Sequence, residues 1–476
     1  MKSKNWHQLE MMCLFGFCCF LSCKTRKDIL SPDLALPANY RNNVSSLSEK
    51  DSVLANIPLK QFFKNEEVKA LIGDALARNY DLQIAIKNLE SANLTLQQSK
   101  LGNLPVLDVQ ASGNSSRPSD NSLNGLSLSQ QLKTSHIEDY SLVASLSWEA
   151  DIWGKIKSRK AVALADFLST EEARKAVQTS VVSSVAKSYY ALLLYDDQLN
   201  IARRNFKLAD SSVTIIKLQY QAGLVTSLAI QQAEAQKYMA ATLIPQFERE
   251  IVIQENALSI LTGKFPQDFK RSTRLSDIPV SENLNSGLPI ALLDHRPDVR
   301  QASMLVSKAN ANVSLNRANM YPSFTITAQS GLDAIKASNW FMIPASLFGS
   351  VTGSIIQPVF QQKKLRKLYD ISEVERERSV LLFKNSVLNA VGEVSDALIK
   401  RNKLGEQQIV EAGRVAILRT AITNSQYLFK NGMATYLEVI TAETNALQSE
   451  LSLSTIRNEQ LNADVDLFRA VGGGYK

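Results

Sequence analysis

The side chains that most often carry nucleophilic, redox or metal chemistry are scarce in this sequence. The four cysteines and three histidines are Cys13, Cys18, Cys19, Cys23, His7, His136 and His295. All four cysteines lie within the first 23 residues, so the rest of the sequence has no disulfide and no thiolate metal site. No spacing among the histidines is typical of a metal site or a catalytic triad, and no Walker-type glycine-rich loop is present. The sequence therefore predicts no metal, no cofactor and no enzyme activity, although residue types alone leave a hydrolase with paired carboxylates open.

The start of the chain has the pattern of an export signal. Lys2 and Lys4 precede an apolar run from Met11 to Leu21, and a small residue, Ser22, follows it. A basic start, a short apolar run and a small residue before the cut are typical of a secretory signal peptide, and the run is too short to span a membrane. Residues 1–22 are therefore predicted to be a signal peptide.

Cys23 is the residue that we predict to be modified covalently. The cut before Cys23 resembles that of bacterial lipoproteins, in which the cysteine becomes the first residue and carries acyl chains such as palmitate. The usual recognition box has Leu three residues before the cysteine, whereas Phe20 occupies that place here and Leu21 follows it. A plain secretory peptide with an incidental cysteine is the alternative. Residues 23–64 show little periodicity and are predicted to be a lipidated N-terminal arm.

Composition indicates a folded, helix-rich chain. The 476 residues are 45% apolar and 21% charged, which argues against disorder. Glycine and proline number only 19 and 13, which favours long helices. The formal net charge of +7 is spread along the chain, without a dense Lys/Arg block interleaved with aromatic residues. The sequence therefore predicts no nucleic-acid partner.

A short stretch occurs twice, as Tyr220–Glu234 and Phe429–Glu443. An aromatic residue, a glycine, a threonine, a leucine and an Ala-Glu pair recur at identical spacing, 209 residues apart (432 − 223). Gly223 and Gly432 suit the left-handed residue just past a helix end, and the threonine three residues later suits the cap of the next helix. One copy alone is typical of an ordinary helical hairpin turn. Two copies in register predict an internal duplication.

Each half of the chain is predicted to contain a helix, a β-hairpin, a long helix, a tip and a return helix. The first half, 65–263, is divided into a helix at about 65–101, a hairpin at about 105–148, a helix at 155–222, the tip at 223 and a helix at 226–261. A linker at 264–292 precedes the second half, 293–474, with a helix to about 320, a hairpin at about 322–360, a long helix to 431, the tip at 432 and a helix at 435–470. Residues 155–222 lack proline and glycine and would form about 100 Å of helix. Pro245 is expected to kink or interrupt the return helix of the first half.

The predicted strands alternate apolar and polar residues over roughly ten residues, as transmembrane β-strands do. They are Val106–Ser112, Tyr140–Trp148, Ser323–Leu332 and Leu347–Phe360. Four strands cannot close a barrel, and an open edge in lipid would leave backbone groups unsatisfied, so several copies must share one barrel. The helices, about three times longer than a bilayer is thick, must then project into water as a coiled-coil tube. A small soluble sheet is the alternative.

These features together resemble the bacterial outer-membrane efflux proteins, the TolC-like family, and within it the branch of lipoprotein outer-membrane factors. Besides the two tip stretches, the matching residues are Pro105, Asp151-Ile152-Trp153-Gly154, Arg296-Pro297-Asp298, Pro322 and Val471-Gly472-Gly473-Gly474. The resemblance covers essentially the whole mature chain. The second half departs from it after Phe360, where Gln361-Gln362 stands in place of the expected glycine. The Arg-Pro-Asp tripeptide itself needs only a structural explanation, as the start of a helix.

The resemblance implies a fold class, an assembly and a location. The fold is mainly α with a transmembrane β part and is internally duplicated. A homotrimer forms an α-helical barrel of twelve long helices, joined to a shared twelve-stranded β-barrel to which each chain contributes four strands. The implied location is the outer membrane, with the helical tube in the periplasm. The implied partners are a periplasmic adaptor protein, an inner-membrane efflux transporter and outer-membrane lipid.

The resemblance also assigns roles to residues at the tips. The residues implied to dock the adaptor are Ala222, Gly223, Leu224, Asn431, Gly432 and Met433. The family often has an acidic ring at its periplasmic constriction, and Glu438 matches the first acidic position of that ring, whereas Thr441 takes the place of the second. The first repeat has Ala229 where the second has Glu438, so a trimer would carry three carboxylates that favour cations. The alternative is that Glu438 is a solvated carboxylate on a helix face.

The predicted function is that of an exit duct in a tripartite efflux pump, which passively conducts substrates from the periplasm to the outside. Because no nucleotide-binding loop is present, the energy must come from the inner-membrane partner. The alternative function is that of a lipid-anchored coiled-coil scaffold without a pore, which would require the four strands to be soluble.

Overall fold

The structure, a computed structural model, describes residues 36–37, 40, 54, 57–131, 134–280 and 289–475. The chain divides into two compact units. One unit contains Ala92–Phe167 and Leu305–Val380, and the other contains Leu34–Ser91, Leu168–Met304 and Leu381–Lys476. The predicted signal peptide, 1–22, and the predicted lipidation site, Cys23, lie outside the described residues.

Helices form most of the structure, and four strands interrupt them. The helices are α1 Leu59–Phe62, α2 Glu66–Arg78, α3 Tyr80–Lys100, α4 Leu123–Gln131, α5 Lys155–Gln221, α6 Ser227–Leu261, α7 Leu292–His295, α8 Pro297–Ala318, α9 Lys364–Lys430 and α10 Tyr436–Ala470. The strands are β1 Val106–Ser116, β2 Ile137–Ala150, β3 Ser323–Ala334 and β4 Leu347–Ile356. Among the described residues, no helix is both long enough and apolar enough to cross a bilayer. The same residues contain no group of His, Asp and Glu side chains that could hold a metal ion.

The internal duplication is visible in the helix lengths. Helices α5 and α9 are both 67 residues long, and α6 and α10 are both 35 residues long. Both pairs begin and end at an offset of 209 residues (364 − 155 and 436 − 227). Helix α6 continues through Pro245, so the interruption expected there is absent.

All four of these long helices end with the same backbone motif. In each, a glycine with positive φ follows the helix, at Gly223, Gly263, Gly432 and Gly472. At the first of them, the Gly223 amide donates to the Tyr220 carbonyl and the next amide reaches back to Gln219, the two bonds of a Schellman motif. A side chain at Gly223 or Gly432 would meet no atom within 4 Å, so the backbone conformation, rather than space, requires glycine there.

The helix predicted at about 65–101 is divided in two, which is a correction to the sequence-based prediction. The break lies at Asn79, whose extended backbone separates α2 from α3. The buried Asn79 side chain accepts a hydrogen bond from the Leu82 amide at 3.0 Å and so caps α3. Its Nδ2 donates to the carbonyl of Leu261, the last residue of α6, at 3.0 Å. One amide side chain therefore satisfies the start of one helix and the end of another.

Arg296 has the same place in the second half. Its extended backbone separates α7 from α8, and its Nη1 donates to the carbonyl of Ala470, the last residue of α10, at 3.0 Å. Asn79 and Leu261 in the first half thus correspond to Arg296 and Ala470 in the second. The Arg-Pro-Asp tripeptide therefore has a structural role, which agrees with the interpretation from sequence.

The four strands form one antiparallel sheet in the order β1-β2-β3-β4, and β1 and β4 lie at its open edges. Cross-strand pairs place apolar side chains together on one face, for example Leu107 with Leu146 and Trp148 with Ile326. The other face pairs polar side chains, for example Asp108 with Ser145 and Thr327 with Thr352. This alternation is the one that a strand between lipid and water requires.

The connections around the sheet differ between the halves. The β1–β2 connection contains helix α4. In the turn that leads from β2 to α5, Gly154 has a φ of 71°, and the Asp151 carboxylate accepts hydrogen bonds from the Ile156 and Lys157 amides. In the second half, Gln362 and Lys363 take up left-handed conformations without glycine, with φ of 52° and 61°. The glycine that the sequence lacks here is therefore replaced by two strained residues.

Candidate functional site

The two tips lie side by side and share an apolar cluster. The buried members of the cluster come from the ends of α5 and α9 and the starts of α6 and α10: Val213, Ile216, Ala229, Ala233, Phe429 and Val439. Because both hairpins contribute, a displacement of one tip would disturb the packing of the other. The two tips that carry the six residues predicted to dock an adaptor are therefore joined by shared apolar packing.

Apolar side chains project from the tips at corresponding positions. Leu224 is 72% exposed and Met433, its counterpart in the second repeat, is 65% exposed. Leu228 and Leu437 form a second exposed pair four residues further on. Exposed apolar side chains in a cluster are typical of a surface that binds a protein.

Glu438 has a local structural role at the second tip. It is exposed, and its Oε2 accepts hydrogen bonds from the Thr435 amide and, at 3.0 Å, from the Thr435 hydroxyl. The Thr435 side chain also accepts a hydrogen bond from the Glu438 backbone amide, which completes a capping box at the start of α10. In the first repeat, Thr226 makes no side-chain cap, and Ala229 is buried in the shared cluster. The two repeats therefore use this position differently: Glu438 caps α10, whereas Ala229 packs in the shared cluster.

Sequence reasoning did not identify two buried carboxylates of α10, Glu443 and Glu450. They lie seven residues apart, so they share one side of the helix. Glu450 accepts hydrogen bonds from Arg204 of α5 at 2.6 Å and from Arg419 of α9 at 2.8 Å. Burial alone would raise the pKa of Glu450, but the two guanidinium groups outweigh it and leave the pKa below its usual range. The signal that could have indicated them is the heptad spacing of these two acidic residues beside the apolar positions Val439, Ala446 and Leu447.

Glu443 lies nearer the tip and has neutral partners. Its Oε1 accepts hydrogen bonds from Ser212 at 2.7 Å and from Gln426 at 3.2 Å. Burial raises the pKa of Glu443, and these two hydrogen bonds offset only part of that effect. The corresponding pair in the first repeat is Lys217 with Glu234, an ion pair at 2.7 Å. The second repeat has glutamine where the first has lysine.

We expect the Gln426→Lys substitution to stabilise the second hairpin by roughly 1 kcal/mol at neutral pH, because a cation would then face the buried Glu443 carboxylate. A carboxyl whose pKa is raised by folding loses its stabilising contribution as pH rises through the folded-state pKa. The added free energy of unfolding should therefore appear above the folded-state pKa of Glu443 and vanish in acid. Urea unfolding midpoints of the purified protein at acid and neutral pH would measure it. The matched control is Lys217→Gln in the first repeat, where the half-exposed Glu234 should make the change small.

Comparisons with known proteins match the whole architecture. The family described as "Outer membrane efflux protein" matches residues 71–264 and 288–473. The chain is 29% identical to the solvent efflux pump outer membrane protein SrpC of Pseudomonas putida over 481 residues, covering 100% of this chain and 99% of that protein. It is 27% identical to the cation efflux system protein CusC of Escherichia coli K12, covering 97% and 99% of the two chains.

Solved structures show the same fold. The crystal structure of CusC covers 95% of this chain and 100% of its own, with a TM-score of 0.84 and 26% identity. The open-state structure of the MtrE outer membrane channel of Neisseria gonorrhoeae covers 95% and 99%, with a TM-score of 0.83 and 22% identity. Both repeats of the chain match the family, and its long helices and four-stranded sheet match the fold of these structures. The chain belongs to the outer membrane efflux protein family.

Proposed function

We propose that the chain is the outer-membrane exit duct of a tripartite efflux pump. The observation that carries the proposal is the four-stranded sheet, which has one apolar face, one polar face and two open edges. Such a sheet can lie in a membrane only when its edges are paired and its polar face lines water. A homotrimer that shares a twelve-stranded barrel meets both conditions, with the apolar faces toward lipid and the polar faces toward the lumen. Relatives named as efflux-pump outer membrane proteins support this proposal.

Conduction through a shared barrel can be tested directly. The purified chain should migrate as a trimer in detergent and should form ion-conducting channels in planar bilayers. Expression of the gene in a strain lacking it should restore resistance to exported compounds. A monomer that is released from membranes without detergent and conducts no ions would favour the scaffold function instead.

The tips would dock the periplasmic adaptor, which in turn engages an inner-membrane transporter. Exposed Leu224 and Met433 suit an apolar contact, and the shared cluster behind them holds both tips in one arrangement.

Near the start of the chain, Cys23 would carry the lipid that anchors the N-terminal arm in the membrane. Mass spectrometry of the mature protein would detect that lipid, and the Cys23→Ala variant should lack it.

Glu438 would line the periplasmic constriction, where three copies would favour cations over anions. We expect the Glu438→Gln substitution to lower cation selectivity in single-channel recordings. Glutamine preserves the capping box with Thr435, so the helix start should stay intact and any change should report on charge. The Glu234→Gln variant, which alters the half-exposed carboxylate of the first tip, is the control. Unchanged selectivity in Glu438→Gln would rule out this role.

A further inference from the structure

The β3–β4 connection, residues 335–346, presents an apolar surface that the efflux function does not use. Its exposed side chains include Ile335, Phe341, Met342 and Ile343, and Lys336 is its one charged residue. The β1–β2 connection is different in character. It contains α4, whose exposed Leu123 and Leu126 stand among serine, asparagine, glycine and glutamine residues.

The connection is held in a defined conformation. The Asp333 amide donates to the Ser346 carbonyl at 2.8 Å and closes the base. The buried Ser346 hydroxyl donates to the Asn339 carbonyl at 2.6 Å, and the Ser346 amide donates to the Met342 carbonyl at 2.9 Å. These hydrogen bonds pair backbone groups within the connection, and the side chains at 341–343 are left exposed on its outer side.

This surface continues the apolar face of the sheet. The centroid of the Trp340 ring lies 5.7 Å from the ring centroid of Tyr140 and 5.0 Å from the ring centroid of Phe341. Tyr140 lies on the same side of β2 as Leu142 and Leu146, which belong to the apolar face. The apolar face of the sheet therefore extends through Tyr140 and Trp340 onto Phe341 and its neighbours.

We propose that residues 340–343 insert into the outer leaflet of the outer membrane and anchor the barrel rim in lipid. The surface is continuous with the face of the sheet that the proposed function places against acyl chains. The anchor therefore rests on the proposed function. A tyrosine and a tryptophan at the junction are the residue types that favour a membrane–water interface. Lys336 could reach anionic headgroups while its stem follows the apolar surface. The exposed phenylalanine, methionine and isoleucine have no acidic neighbour in the connection. A polar extracellular partner or the water-filled lumen would leave these apolar side chains against polar groups or water, whereas lipid would not.

Spin labels at single introduced cysteines test the proposal. The full-length protein carrying Met342→Cys is labelled and reconstituted in vesicles of phosphatidylethanolamine and phosphatidylglycerol. Collision rates with oxygen, which concentrates in lipid, and with a water-soluble nickel complex are then measured. Val351→Cys reports on the apolar face, Thr352→Cys on the polar face, and Leu123→Cys on an equally apolar side chain of the other connection. The unsubstituted protein, labelled in parallel, gives the background from its own cysteines.

We expect the label at 342 to match that at 351, with a high oxygen rate and a low nickel rate, and the label at 123 to match that at 352. A nickel rate at 342 as high as at 352 would place the connection in water and overturn the proposal. Low rates with both reagents at 342 would show that protein covers it, which also overturns the proposal. If 351 and 352 do not differ, the sheet itself is not in the membrane, and the proposed function fails with the anchor.

Discussion

The Arg296→Ala substitution should destabilise the protein by about 2–3 kcal/mol, because it removes a buried guanidinium that donates hydrogen bonds to two half-exposed carboxylates and to a carbonyl at a helix end. The Arg296 side chain is only 5% exposed, and its guanidinium bonds Asp298 at 2.9 Å, Glu393 at 2.9 Å and the Ala470 carbonyl at 3.0 Å. Alanine would leave that carbonyl, the last of α10, without its donor. Urea unfolding midpoints of wild type and variant, measured in the same detergent, would show the loss.

The pH dependence gives this prediction a second readout. Burial alone would raise the pKa of Asp298, but the Arg296 guanidinium outweighs it and leaves the pKa lowered. A carboxyl whose pKa is lowered by folding contributes stability that is present above its unfolded-state pKa and is lost as pH falls through its folded-state pKa. The difference in the free energy of unfolding between wild type and Arg296→Ala should therefore be largest at neutral pH and shrink below the ordinary aspartate pKa of about 3.9.

Arg300, one turn further along α8, provides a matched control. It pairs with Glu172 at 3.2 Å, but its side chain is 42% exposed. Its loss should cost no more than about 1 kcal/mol, because Arg300 is half-exposed and the buried Glu172 keeps its ion pair with Lys175 at 2.9 Å. Equal losses for Arg296→Ala and Arg300→Ala would contradict the argument that burial and the Ala470 carbonyl make Arg296 special.

The duplicated tips could be predicted from sequence because their requirements are local. A left-handed residue after a helix favours glycine, so Gly223 and Gly432 carry the pattern in their own residue type. A helix start favours threonine, and Thr226 and Thr435 both precede a helix, although only Thr435 makes the capping contact. The strand alternation is equally local, since the side-chain period of two separates a lipid face from a water face. The capping contact of Glu438 follows the Ser/Thr-x-x-Glu pattern, so the residue types of Thr435 and Glu438 alone could have predicted it.

Long-range contacts were not accessible in this way. The break at Asn79 interrupts a helical pattern with no proline or glycine beside it, and the Asn79 side chain there binds the Leu261 carbonyl, 182 residues away. Glu443 and Gln426 belong to different helices, and only the packing of those helices shows that a buried carboxylate lacks the lysine found in the first repeat. Helix α4 was missed because its serine- and asparagine-rich sequence favours loops over helices.

Charges at the tips should abolish efflux while leaving the duct assembled. In the Leu224→Asp, Met433→Asp double variant, each carboxylate would have to be buried against the adaptor without a partner. That burial costs several kcal/mol per site, and about 3 kcal/mol already weakens an interface more than a hundredfold. Both side chains point away from the shared apolar cluster, so folding should be unaffected.

The double variant is tested in a strain lacking the chromosomal gene. The minimum inhibitory concentrations of exported compounds should fall to those of the deletion strain, although the outer membrane contains the same amount of protein and the purified variant conducts ions as wild type does. Leu123→Asp is the control, because this leucine of α4 is 81% exposed and belongs to the β1–β2 connection rather than to the tips. Full resistance in the double variant would exclude an apolar adaptor contact at Leu224 and Met433. Resistance lost together with conductance would instead indicate that the tips are needed for assembly, because docking alone does not affect the current through an isolated channel.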